Sequence, residues 1–186
     1  FDLDSIQLIA LAKQMTRGEF FSGEPIKTPP DLFIGGAANP FADPYEYRVL
    51  RLGKKIRAGA EFIQTQSVFD LDRFAAWLNQ VRERDWHRET AILAGVMPVK
   101  SVKALLYMQK EVPGMRIPQS LVKRMQQADD PREEGVRIAV ETIRALKDME
   151  GVAGVHLMPV LWESITPRIV QEAGLDRREG GGNEAR

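Results

Sequence analysis

Short apolar runs alternate along this chain with stretches of helical periodicity, and that alternation restricts it to a parallel α/β sheet. The strand candidates are Leu32–Ala38, Glu61–Gln66, Ala91–Val96 and Gly154–Met158. Leu32–Ala38 in particular is continuously apolar, as strands buried on both faces are. Between the runs lie amphipathic segments with recognisable ends. Asp4 or Ser5 caps a helix carrying Ile6, Leu8, Ile9, Leu11 and Ala12. A second helix begins near Pro44, places Tyr45, Val49, Leu52 and Ile56 on one face, and ends at Gly59. Asp70 caps a third with Phe74, Leu78 and Val81, and Ser101 caps a fourth. A short helix follows Pro118, and Asp130-Pro131 opens a long one that Gly151 closes. Thr166-Pro167 starts the last helix and Gly174 stops it.

Two architectures satisfy this pattern, a small open doubly wound sheet and a segment of an eight-stranded barrel. Periodicity does not choose between them. Both place ligands at the C-terminal strand ends, where Asn39, Gln66 and Met97-Pro98-Val99-Lys100 fall. The charged, glycine-rich stretch 176–186 is expected to be a disordered tail, leaving 1–175 as one domain.

Composition narrows the partners. The 186 residues hold 26 Lys plus Arg and 26 Asp plus Glu, so no broad field draws the chain to nucleic acid or an anionic membrane. There is no cysteine, which removes disulfides, thiolate metal sites and cysteine nucleophiles. No apolar run approaches the roughly 20 residues of a membrane span. The start, Phe1-Asp2-Leu3-Asp4, lacks a signal-peptide pattern and reads as a cut into a longer protein. A cytoplasmic location is the expectation.

Few residues point to chemistry. There is no Gly-rich dinucleotide turn and no Walker-type lysine; Gly35-Gly36 lies inside a strand. His87 falls in a charged loop and His156 in a strand, where a packed core histidine is the ordinary reading, and no metal site is supported. Gln64 and Gln66 share one strand face. A strand-end amide such as Gln66 can pair with an amide-like heterocycle such as a pterin, or simply bond loop backbone. Arg51 and Lys55 project together at i, i+4 with Lys54 beside them, which suits a diphosphate and equally a solvated helix face.

In order, the motifs Ala37-Ala38-Asn39-Pro40, Arg51-x-x-Lys54-Lys55, Ala58-Gly59-Ala60-Glu61-Phe62-Ile63-Gln64-Thr65-Gln66 and Phe69-Asp70 resemble methylenetetrahydrofolate reductases. Gly95-Val96-Met97-Pro98-Val99, Arg116-Ile117-Pro118 and Gly151-Val152-x-Gly154-Val155-His156 continue the match to about Leu175. The resemblance implies the C-terminal half of a flavin-binding (β/α)8 TIM barrel, four parallel strands with their helices. It implies FAD as cofactor and reduction of 5,10-methylenetetrahydrofolate to 5-methyltetrahydrofolate. Carried over, Gln66 meets the pterin, Asn39 lies against the flavin, Arg51, Lys54 and Lys55 line its ribityl–diphosphate portion, and Ser5 lies at its far side.

The same resemblance puts the general acid upstream of Phe1. This chain then holds no catalytic residue of its own, and the isolated chain is expected to bind flavin weakly without turnover. Its implied partners are the folate, the missing N-terminal half of the barrel and, in divergent branches, an accessory electron-transfer subunit; the complete protein would be oligomeric. The departures are specific. The loop from Asn39 to Tyr45 is short and lacks a flavin-contacting histidine, Arg48 stands in the region of an expected acid, and Ala104 stands where a second glutamine is common. Met158-Pro159-Val160-Leu161-Trp162-Glu163 replaces a polar stretch with a folate-contacting arginine. A flavin-free folate-binding barrel segment of a methyltransferase and a non-catalytic accessory subunit remain alternatives.

Overall fold

The computed structural model describes residues 2–175, so the 176–186 stretch expected to be disordered lies outside the described residues. Four strands, β1 (Gly35–Ala38), β2 (Phe62–Ser67), β3 (Ala91–Val96) and β4 (Gly154–Leu157), form one sheet in the order β1-β2-β3-β4. Every neighbouring pair is parallel. A doubly wound sheet reverses its strand order at a switch point and carries helices on both faces. Here the order is strictly sequential, as in the wall of a (β/α) barrel. That settles the choice periodicity left open.

The helices are α1 (Ser5–Thr16), α2 (Glu46–Ala58), α3 (Leu71–Arg82), α4 (Trp86–Glu89), α5 (Val102–Glu111), α6 (Gln119–Gln127), α7 (Pro131–Lys147) and α8 (Thr166–Glu172). One face of the sheet, through Ile63, Ile92, Ala94 and Val96, packs into a core with Leu52, Phe74, Trp77, Val136, Ile143 and Ile169 from the helices. The alternate residues Phe62, Gln64, Gln66, Leu93 and His156 point to the other face, which the helices leave partly open. Gly35 belongs to this open face: a Cβ there would lie 2.2 Å from the Phe62 ring, so only glycine lets that ring lie across β1. Phe62 stacks in turn on the exposed Phe33, their centroids 5.1 Å apart.

Between β3 and β4 the chain makes more than one crossover helix. α7 packs on the sheet, whereas α5 and α6 build a second core from Leu105, Met115, Ile117, Val122 and Met125. That core also takes Phe69, just after β2, and Val99, just after β3, so it sits beyond the C-terminal strand ends.

The caps follow the sequence. Asp4 forms a capping box with Gln7, Asp70 accepts from Arg73 N at 3.0 Å, and Gly59 ends α2 at φ 111°. The structure corrects one local expectation. His87 lies in the short helix α4 rather than in a loop, and is half-buried.

Glu61 joins the start of β2 to its neighbours. Its carboxylate accepts from Ile34 N at 2.9 Å and from Lys13 Nζ at 3.3 Å. The Ile34 bond first, and Lys13 second among the favourable causes, hold this carboxyl below the usual glutamate range. A carboxyl depressed in the folded state stabilises the fold above its unfolded pKa, and that contribution is lost as pH falls through the folded pKa. Glu61→Gln should therefore flatten the loss of thermal stability below the ordinary carboxylate range. An unchanged acid slope in a melting series over pH would contradict this role.

Candidate functional site

The site begins with an irregularity in β2. Its pairing with β3 runs from Phe62–Ala91 to Gln64–Leu93 and then shifts, so that Ser67 faces Gly95. Thr65 and Gln66 thus stand opposite Ala94 alone, a bulge of the kind that re-aims a side chain. Thr65 holds it in place: its hydroxyl accepts from Gly95 N at 2.9 Å and donates to Gln66 O at 3.0 Å. A Cβ on Gly95 would lie 2.5 Å from Thr65 O, so glycine is required where β3 passes the bulge.

Gln66 emerges from this bulge between two concavities. The first, about 390 Å³, lies on the open face of the sheet and is lined largely by polar and charged residues, among them Asn39, Arg48, Arg51, Lys55, Gln64 and His156, with Ala37, Ala38, Leu52 and Met158 between them. The second, about 640 Å³, is apolar and lies between the β3 and β4 loops and α5, against Met97, Pro98, Ala104, Tyr107, Val160 and Leu161. Gln66 borders both. Its Oε1 accepts from Ser67 N at 3.1 Å, so its amide nitrogen remains to donate.

The cations of the first concavity differ in what they do. Lys55 is buried, and its Nζ donates to Ala37 O, which fastens α2 to the end of β1. Burial first, then the neighbouring charge of Arg51, holds its ammonium below the usual lysine range, with Asp4 opposing. Arg48 donates to Ala42 O at 2.9 Å and to Asp43 O, bracing the loop after β1. Arg51 is exposed and forms no ion pair among the described residues. Among the described residues no carboxylate lines this concavity.

The structure therefore brings Asn39, Arg51, Lys55 and Gln66 around one space. Asn39 Oδ1 accepts from Phe41 N at 3.0 Å, an Asx turn that sets the loop leaving β1. Lys54, one residue along α2, is exposed and does not line the space. Ser5 is also outside it; the residue of α1 that acts on the cations is its N-cap Asp4, whose carboxyl interacts with Arg51 and Lys55. Arg48 and His156 line the concavity although neither was singled out as a binding residue. The signal was available: Arg48, Arg51 and Lys55 fall on one helical face, and Gly154, His156 and Met158 follow strand alternation.

Among the described residues there is no His, Asp and Glu cluster able to hold a metal, and no helix long and apolar enough to cross a membrane.

Comparison with known proteins gives one consistent result. The family model described as methylenetetrahydrofolate reductase matches residues 26–174. Methylenetetrahydrofolate reductase 1 of Schizosaccharomyces pombe is 29% identical over 137 residues, covering 72% of this chain and 22% of its own. Methylenetetrahydrofolate reductase 2 of Saccharomyces cerevisiae is 29% identical over 128 residues, covering 67% of this chain and 21% of its own. Methylenetetrahydrofolate reductase (NADH) 1 of Arabidopsis thaliana is 26% identical over 166 residues, 85% of this chain and 27% of its own. The chain thus spans between 21% and 27% of the length of these relatives. Among solved structures, an uncharacterized protein from Clostridium thermocellum described as binding two copies of 5-methyl-5,6,7,8-tetrahydrofolic acid has the same fold. The TM-score is 0.63 at 18% identity, covering 93% of this chain and 59% of the other.

Proposed function

The chain belongs to the methylenetetrahydrofolate reductase family, and from that premise we propose that it supplies one wall of the site in which FAD reduces 5,10-methylenetetrahydrofolate to 5-methyltetrahydrofolate. The observation that carries the reading is the convergence of Gln66, Asn39 and the exposed cation Arg51 on one polar concavity at the C-terminal strand ends.

The residues fit a flavin by their chemistry. Ala37 and Ala38 keep the β1 side of the concavity shallow, so a flat ring can lie against the strand. Arg51 offers a fork of donors to a diphosphate. When bound, flavin supplies the hydride-transfer chemistry. The chain's own part is to hold and orient: Gln66 donates its amide N–H to the folate ring, Asn39 borders the flavin, and Lys55 keeps α2 fixed on β1. The apolar concavity beyond Gln66 accommodates the aryl part of the folate and excludes water there. The general acid belongs to a segment other than this chain, so residues 1–186 alone bind FAD weakly and do not turn over.

Arg51 separates this reading from its rivals. Arg51→Glu should weaken FAD binding by about 1.5–3 kcal/mol, roughly 10–150-fold, the range of hydrogen bonds to charged groups. Riboflavin, which lacks the diphosphate, should lose much less in the same equilibrium titration. A flavin-free folate-binding segment predicts no saturable FAD binding and no such discrimination. Tight FAD binding with full turnover by the isolated chain would refute the shared-site reading.

A further inference from the structure

We propose that His156 is a ligand-binding residue of the polar concavity, with its proton on Nε2, donating a hydrogen bond to a ring carbonyl of the heterocycle that Gln66 also contacts. This deepens the folate–flavin reading and rests on it.

In β4 the register pairs His156 with Gly95, and Gly95 in turn faces Ser67 immediately after Gln66. Gly95 has no side chain to stand between them, so the imidazole and the Gln66 amide border the same space on the open face. His156 is partly exposed there, but its Nδ1 is cut off from solvent and has no hydrogen-bond partner among the described residues.

That orphan nitrogen decides the tautomer. A neutral imidazole carries one N–H and one bare nitrogen. An N–H on Nδ1 would be a buried donor without an acceptor, which is unfavourable. Placing the hydrogen on Nε2 leaves only a lone pair unmatched, and it gives the other nitrogen a donor for whatever occupies the concavity. Among the described residues no carboxylate lines the space to accept it.

The ligand's edge is then constrained. Gln66 has its oxygen engaged by Ser67 N and offers N–H; His156 offers N–H beside it. Two neighbouring donors call for a carbonyl oxygen, whose two lone pairs accept from both. Fused lactam heterocycles such as pteridines present such a carbonyl, whereas a purine ring bearing only an exocyclic amine does not.

The test uses the two-histidine chain labelled with nitrogen-15, the His87→Gln variant assigning the resonances, and 5-methyltetrahydrofolate as probe. The expected result is the Nε2–H tautomer at His156 in the free protein and a shift of that nitrogen on saturation. His156→Phe should weaken binding about tenfold, the loss of one hydrogen bond of ordinary strength, while His156→Gln, which keeps a donor, restores most of it. An Nδ1–H tautomer, or an unmoved Nε2 signal at saturation, would overturn the proposal even where His156→Phe does not fold. If the wild-type chain binds the probe and Gln66→Leu weakens it while His156→Phe does not, this proposal alone fails. If the wild-type chain binds no probe at all, the folate reading fails with it.

Discussion

Gly135→Ala should lower the stability of this protein by about 3 kcal/mol, which for a chain of this size is a fall in the melting midpoint of roughly 6–12 °C. Two effects oppose each other at this position. Alanine in a helix interior is better than glycine by about 1 kcal/mol. Against that, a Cβ on Gly135 would lie 1.8 Å from Val99 O and 2.9 Å from Val99 C. Both are backbone atoms, so no side chain can swing aside; α7 or the loop after β3 must move. Val99 is buried in the second core, and the same loop, Met97–Lys100, walls the apolar concavity. The substitution should therefore also disturb binding there. A midpoint unchanged or raised would show that the α7–loop contact is looser than described.

Gln66→Leu should weaken binding of 5-methyltetrahydrofolate by roughly 10–100-fold while leaving the fold intact. A site built to hydrogen-bond a ring rejects loss of the partner strongly, because the ligand's polar edge is then buried unpaired. Leucine keeps much of the volume. It forfeits the Oε1 contact with Ser67 N, a local bond of about 1 kcal/mol. The affinity loss should thus exceed the stability loss clearly. The check is a calorimetric titration beside a melting curve: equal affinity in wild type and variant would leave Gln66 as a loop-bracing glutamine only.

Much of this architecture was legible before any coordinates. Strands β1 and β3 declared themselves because a parallel strand buried on both faces is apolar along its length, and the helix starts because Asp4, Asp70, Ser101 and Asp130 are side chains that satisfy exposed N–H groups. Strand order was not legible, since periodicity describes each element alone and order is a property of pairs. α4 escaped because four residues carry too little periodicity, and its entry depends on Asp85 at φ 55°. Nor does any pattern announce that α5 and α6 stand beyond the strand ends instead of lining the sheet.

The site was legible to a similar depth. Spacing identified Arg51 and Lys55 as neighbours, and helical rotation of about 100° per residue explains why Lys54 turns away from them. Spacing could not say that Lys55 is committed to Ala37 O, which leaves Arg51 as the exposed cation of the pair. Gln66 was visible as a strand-end amide, whereas the bulge that aims it depends on Thr65 bonding Gly95 in a different strand. His156 was passed over as a core residue because a lone histidine in a strand is usually packed, and only the open face of this sheet makes it a wall of the concavity.

If the polar face between β1 and β4 receives the folate–flavin pair as proposed, titrating the chain with 5-methyltetrahydrofolate and then with FAD should give saturable amide chemical-shift changes centred on Ala37–Asn39, Gln64–Gln66 and His156 while α3 stays silent. Saturation with those residues unmoved would contradict the proposal.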